Sequence, residues 1–128
     1  MSYQSDLYTA LTGNAQLAAV VGTRIYPDIA DQSATAPYIV YYISSTRGET
    51  SHDGERTIEF PQITLTVWAK TKSQAISTSV LLDAILDGNT LAGSSDLSMI
   101  FSNRSGTYDP SAKLFGEILE YSASANIN

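Results

Sequence analysis

Residues 56–70, RTIEFPQITLTVWAK, carry the longest run of period-two alternation in the sequence and decide how the rest is read. β-branched and aromatic residues dominate the stretch, as in a long half-buried strand. Ile58 and Phe60 point one way, whereas after Pro61 the apolar set moves to Ile63, Leu65 and Val67. A proline lacks the N–H that a ladder needs, and a one-residue slip flips the apolar face of a pleated strand. A bulge at Pro61 and Gln62, or a kink between two short strands, accounts for both facts, and the bulge is the expectation.

Upstream, PYIVYYISS (residues 37–45) reads as a strand with apolar side chains on both faces. Tyr38, Val40 and Tyr42 line one side and Ile39, Tyr41 and Ile43 the other. Such a strand is either central and covered twice, or its second face meets another subunit. The intervening TRGETSHDGE (46–55) is charged and glycine-bearing, and its Asp53-Gly54 pair is a turn signal, so the two strands pair most simply as a long-tipped antiparallel hairpin.

The remaining elements follow from periodicity and punctuation. Ser2 or Ser5 caps a first helix through Leu11, ended by Gly13, and Asn14 caps a second short helical turn ended by Gly22. A single helix through Gly13 is the alternative. Thr23–Tyr26 is a short extended segment, because Pro27 biases Tyr26 out of the α region. Ser73 opens a long helix with apolar residues at Ile76, Val80 and Ala84 and at Leu82, Ile85 and Leu86, stopped by Gly88. Leu97–Phe101 forms a strand, Asn103–Ser111 a turn cluster and Lys113–Ala123 a last strand, with residues 124–128 as a loose tail. The expected class is α+β: a mostly antiparallel sheet of about four strands packed by two main helices, in a single domain over residues 1–128.

Composition narrows function. The 128 residues are 43% hydrophobic and only 16% charged, and the formal charge is -6. Seven scattered basic residues give no grip on nucleic-acid phosphates. No apolar run is long enough for a membrane span and no signal peptide is indicated, so the chain is expected to start in the cytosol without membrane contact. With no cysteine and one histidine, His52, there is neither a thiol nucleophile nor a serine–histidine pair. His52, Asp53 and Glu55 do not have a ligand spacing, so no metal or cofactor is implied. Asp83 and Asp87 stand one turn apart on a helix and read as a solvated polar face rather than an acid–base pair. Trp68 and the tyrosines lack the interleaved basic charge of a base-stacking platform, and core packing is the expectation for Trp68. An enzyme is not expected.

The order of segments resembles the tail-completion or tail-terminator proteins of long-tailed bacteriophages. The likeness is carried by GTRIYP (22–27), PYIVY (37–41), the strand-to-helix passage ITLTVWAKT…SQAISTSVLLDAIL, and the closing RSGTYDPSAKLFGEILEYSAS (104–124). It implies a small α+β subunit closing into a homo-oligomeric ring, usually a hexamer, at the head-proximal end of the tail tube of a virion. There it would stop tube polymerisation and offer a surface to the head–tail connector, with DNA passing through unbound. A connector or neck protein with the same assembly logic is the nearest alternative, and a small binding module unrelated to virions is the second. On this reading Arg47, Gly48, Glu49, Thr50, Ser51, His52, Asp53, Gly54 and Glu55 form the loop that contacts the tube or connector. Tyr38, Val40, Tyr41 and Tyr42 form the interface between subunits.

Overall fold

The computed structural model describes residues 3–22, 24–28, 36–50, 56–87 and 97–126; the side chains of residues 3–5, 44–57 and 126 lie outside that description. Three helices, α1 (Tyr3–Thr12), α2 (Ala15–Val21) and α3 (Lys72–Leu86), lie on one face of a five-stranded sheet. Its strands are β1 (Ile25–Pro27), β2 (Tyr38–Thr50), β3 (Arg56–Ala69), β4 (Ser98–Asp109) and β5 (Leu114–Asn126), ordered β1-β2-β3-β5-β4. Among the described strands only the β1–β2 pair is parallel. The class is α+β, with the short segment before Pro27 as a fifth strand and two helical pieces at the N-terminus.

β3 is the central strand, and its odd residues build the core. Ile63, Leu65, Val67 and Ala69 are buried, between Ile39 and Tyr41 of β2 and Leu119 and Tyr121 of β5. Leu82 and Leu86 of α3, Leu7 and Leu11 of α1 and Leu17 and Val21 of α2 close the other side. Each such side chain taken out of water stabilises the fold by about 1.5–3 kcal/mol.

The strand does not bulge at Pro61. Pairing of β3 with β5 keeps one register from Ile58–Asn126 to Ala69–Phe115, and Pro61 pairs across to Thr46 of β2. The extra residue sits opposite, in β2, where the register shifts between Ile43 and Ser45. Pro61 is buried on the helix side with Ile63, so the alternation is continuous and Ile58 and Phe60 lie on the other face. The apparent slip arose because both faces of β3 carry apolar residues.

Other boundaries moved for local reasons. The β2–β3 ladder continues to Thr50 and Arg56, so Arg47–Thr50 are strand residues and not loop. Ser51, His52, Asp53, Gly54 and Glu55 lie outside the described residues. β4 runs through Asn103–Tyr108, expected as a turn, because an edge strand exposed on its outer side tolerates polar residues. The turn itself is at Asp109–Lys113, where the Asp109 carboxylate accepts the Ser111 N–H at 3.0 Å and Lys113 takes φ 59°. β5 reaches Asn126 and Ala125 is buried, so the expected loose tail is paired strand that far. Asn14 caps α2 by accepting the Leu17 N–H, as expected, whereas α3 is capped by Thr71, not Ser73, through the Gln74 N–H. α3 buries Ala75, Thr78, Ser79, Leu82 and Leu86 and leaves Ile76 and Val80 exposed. Small residues at the contact let the helix lie close to the sheet, and that requirement overrode the larger apolar stripe.

Gly116 of β5 is required by packing on the face away from the helices. A Cβ there would sit 2.8 Å from Thr107 Cγ2 and 2.9 Å from Trp68 Cζ3, so the indole lies directly over the glycine. Gly116→Ala is expected to displace Trp68 and to cost about 1–3 kcal/mol. Trp68 is the sole tryptophan, so a shift in its emission together with a lowered urea midpoint checks this.

Candidate assembly surface

Among the described residues no element covers the second face of the sheet. The pairing registers place its side chains in rows that cross the strands. One row is Tyr38, Trp68, Gly116 and Thr107, and the next is Tyr26, Val40, Thr66, Ile118 and Ser105. Tyr26 and Tyr38 meet edge to face, with ring centroids 6.0 Å apart. Below them come Tyr42, Thr64, Glu120 and Asn103, where the Asn103 amide donates to Glu120 at 3.1 Å. Gln62 accepts from the Ser122 hydroxyl in the following row. Phe60 and Ile100 then line an apolar hollow with Ser98 and Ser124.

The surface is therefore aromatic toward the start of β2, polar in the middle and apolar again at the far end. Tyr42 is 41% and Ile100 66% exposed, while Tyr38, Val40, Thr66, Trp68 and Ile118 are half-buried. Aromatic and apolar side chains left open on a sheet face, on both sides of a polar band, are suited to a protein contact. Three of the four residues expected at a subunit interface, Tyr38, Val40 and Tyr42, lie together here. Tyr41 does not. It is 6% exposed on the helix side, where the alternation of a pleated strand had to put it, and it belongs to the core. Trp68, expected in the core, is on the open face, and the glycine in β5 was the available sign of a close approach there.

Polar groups on the helix side serve the fold. The Tyr121 hydroxyl donates to Asp83 Oδ1 at 2.6 Å, and Asp87 Oδ1 accepts the Phe101 N–H at 2.8 Å. These carboxylates thus tie α3 to β5 and β4 rather than merely solubilising a helix. Glu117 is buried beside Arg104, with Nε 3.7 Å from Oε1. Arg24 donates to the carbonyls of Pro37 and Val20 and so joins β1, β2 and α2. No group of three or more histidine, cysteine or acidic side chains capable of holding a metal occurs among the described residues. Nor, among them, is any helix long and apolar enough to cross a membrane.

Burial, and then the bond to Asp83, hold the Tyr121 phenol far above its ordinary value near 10. Burial pushes Tyr38 and Tyr41 in the same direction. The unfolded chain ionises Tyr121 near pH 10 while the folded chain keeps the proton, so the native state binds more protons above that pH. This contribution is complete below pH 10 and is lost as pH rises, at up to about 1.4 kcal/mol per pH unit. Tyr121→Phe is expected to flatten the alkaline limb of urea-unfolding stability between pH 9.5 and 11 by roughly one proton.

Residues 5–125 match the family model described as tail completion protein gp17. No curated protein matches the chain. Among solved structures, a chain from the virion of a native gene transfer agent particle superposes with a TM-score of 0.80 at 18% identity, over 97% of this chain and 94% of that one. At that identity the likeness speaks for the fold alone.

Proposed function

This chain belongs to the tail completion protein gp17 family, structural proteins of the phage-type virion tail, and from that premise we propose that it closes the head-proximal end of the tail tube as a ring of identical subunits. In that position it ends tube polymerisation and presents the surface that the head–tail connector joins. The observation that carries this reading is the uncovered aromatic face of the sheet. A subunit whose described residues leave Tyr42 exposed and Tyr38, Val40 and Trp68 only half-buried has a surface suited to burial against a neighbouring copy.

The chain acts by assembling and makes or breaks no covalent bond. Its net charge of -6 suits a passage for DNA, because repulsion of phosphates prevents sticking. Two arginines that could oppose this are engaged within the subunit, Arg24 with backbone carbonyls and Arg104 with Glu117. Residues 47–55, of which 47–50 end β2 and 51–55 lie outside the described residues, are the segment assigned to contact with the tube or connector.

Electron microscopy of particles made without this chain tests the reading. Overlong tails, or tails detached from heads, are expected. Normal tails beneath unjoined necks would instead assign the chain to the neighbouring connector position, and normal infectious particles would refute both.

A further inference from the structure

Among the described residues the sheet ends on two open strand edges of complementary direction, and we propose that successive copies are linked by antiparallel pairing of β4 from one subunit with the outer half of β2 from the next. The inference rests on the ring reading and adds how neighbours hold one another.

Two backbone bonds fix which residues of β2 turn toward which neighbour. Ile39 N–H donates to the Arg24 carbonyl at 3.0 Å, and Asp28 N–H donates to the Tyr41 carbonyl at 2.8 Å. Odd residues of β2 therefore turn their backbone groups toward β1, and even residues turn theirs to β3. Alternation in antiparallel ladders carries this across the sheet. In β3 the even residues face β2 and the odd ones β5; in β5 the even residues face β4. Gly116, Ile118 and Glu120 pair with Thr107, Ser105 and Asn103, so those residues of β4 point inward. Arg104, Gly106 and Tyr108 point their N–H and carbonyl groups outward. The Phe101 N–H gives an independent check: beyond the register shift it too points outward, and it is the group taken by Asp87.

On the opposite side β1 guards only part of β2. It pairs with Ile39–Tyr41 alone, and its own outer edge is poor: of the odd residues that face out, Pro27 has no N–H, leaving that of Ile25. Past Tyr41, β2 runs on through Thr50 with no described partner on its outer side. The shift between Ile43 and Ser45 changes the parity, so beyond it Thr46, Gly48 and Thr50 face outward; the second shift, between Glu49 and Thr50, puts its extra residue in β3 and leaves the alternation of β2 unchanged. Three outward residues at two-residue spacing on β4 thus meet three at the same spacing on β2.

Direction also agrees. β2 is antiparallel to β3, β3 to β5 and β5 to β4, so β4 runs opposite to β2. Copies related by rotation about an axis close to the strand direction keep their strand directions, and in a ring of that geometry β4 meets the neighbour's β2 antiparallel in a heterologous contact that can close. In the matching register Arg104 stands opposite Thr50, Gly106 opposite Gly48 and Tyr108 opposite Thr46. An edge contact lies in the plane of the sheet, whereas a face contact is perpendicular to it, so one subunit can make both.

The natural sequence has no cysteine, which makes cross-linking clean. Ser105 and Glu49 would form a non-hydrogen-bonded pair with Cα atoms about 4.5 Å apart, inside the range a disulfide spans. Mild oxidation of tails carrying Ser105→Cys/Glu49→Cys is expected to give a ladder of linked oligomers at least about tenfold above either single variant. A second pair, Ser105→Cys/Arg47→Cys, covers a two-residue slip. Dimers from Ser105→Cys alone would show β4 pairing with itself and overturn the proposal. Tails that carry the protein but link in neither double variant would also overturn it while leaving the ring reading standing. Tails that lack the protein altogether, although circular dichroism shows the variant and the unmodified chain folded, would remove the ring reading and this inference together.

Discussion

Tyr42→Asp is expected to leave the subunit folded and to remove it from tails. Tyr42 is exposed on the open face, so the change leaves no cavity in the core, and the melting temperature should stay within about 3 °C. In the proposed ring the same position is buried against a neighbour. The substitution then deletes an aromatic contact and asks an ionised carboxylate to enter an interface in the row that already holds Glu120. Loss of a central tyrosine alone typically costs about 2–4 kcal/mol of binding, roughly 30- to 1,000-fold in affinity. Incorporation into tails, read by quantitative blotting of purified particles, should fall by at least the lower figure. Tyr42→Phe keeps the ring and should assemble. A Tyr42→Asp subunit that populates tails at the normal level would show that this part of the face is not buried.

The opposite pattern is expected one strand away, on the other side of the sheet. Leu65→Ala should lower folding stability by about 2–5 kcal/mol, because a fully buried leucine leaves both lost transfer energy and a cavity. Leu65 lies between Tyr41 and Leu119 in the central strand, beneath the helices, where neighbours on both sides are pinned by the ladder and collapse is limited. Urea denaturation should show a lower midpoint at unchanged slope. Thr66→Ala, the next residue on the open face, should cost less than about 1 kcal/mol. Equal effects at the two positions would mean that the faces are not as different as the burial pattern states.

These two residues also show how much the sequence disclosed. Ile63, Leu65 and Val67 announce a strand by alternation, and their partners Ile39 and Leu119 sit on strands that the sequence also indicates. The α+β class followed. What alternation cannot convey is whether an apolar face is covered. Ile58 and Phe60 carry the same signal as Leu65, and this produced an apparent phase change at Pro61 where the strand is continuous. The double-sided character of Tyr38–Ile43 offers a strand covered twice or one whose second face meets another subunit, and the chain alone does not say that Tyr41 belongs inside.

Polar segments misled in the other direction. Asn103–Tyr108 and Arg47–Thr50 look like turns because turn-forming and strand-edge compositions overlap where the backbone is exposed on one side. Asp83 and Asp87 look solvated because their partners, Tyr121 and the Phe101 amide, are far away in sequence. Contacts that depend on a distant strand leave no local trace.

The central claim is that the molecule works by burying the open face of its sheet in an assembly. An electron cryomicroscopy map of the neck end of the tail, with this chain traced, tests it most directly. The account predicts a closed ring in which Tyr38, Val40 and Tyr42 of each copy are covered by neighbouring protein. A map in which that face stands bare to solvent in every copy would contradict it.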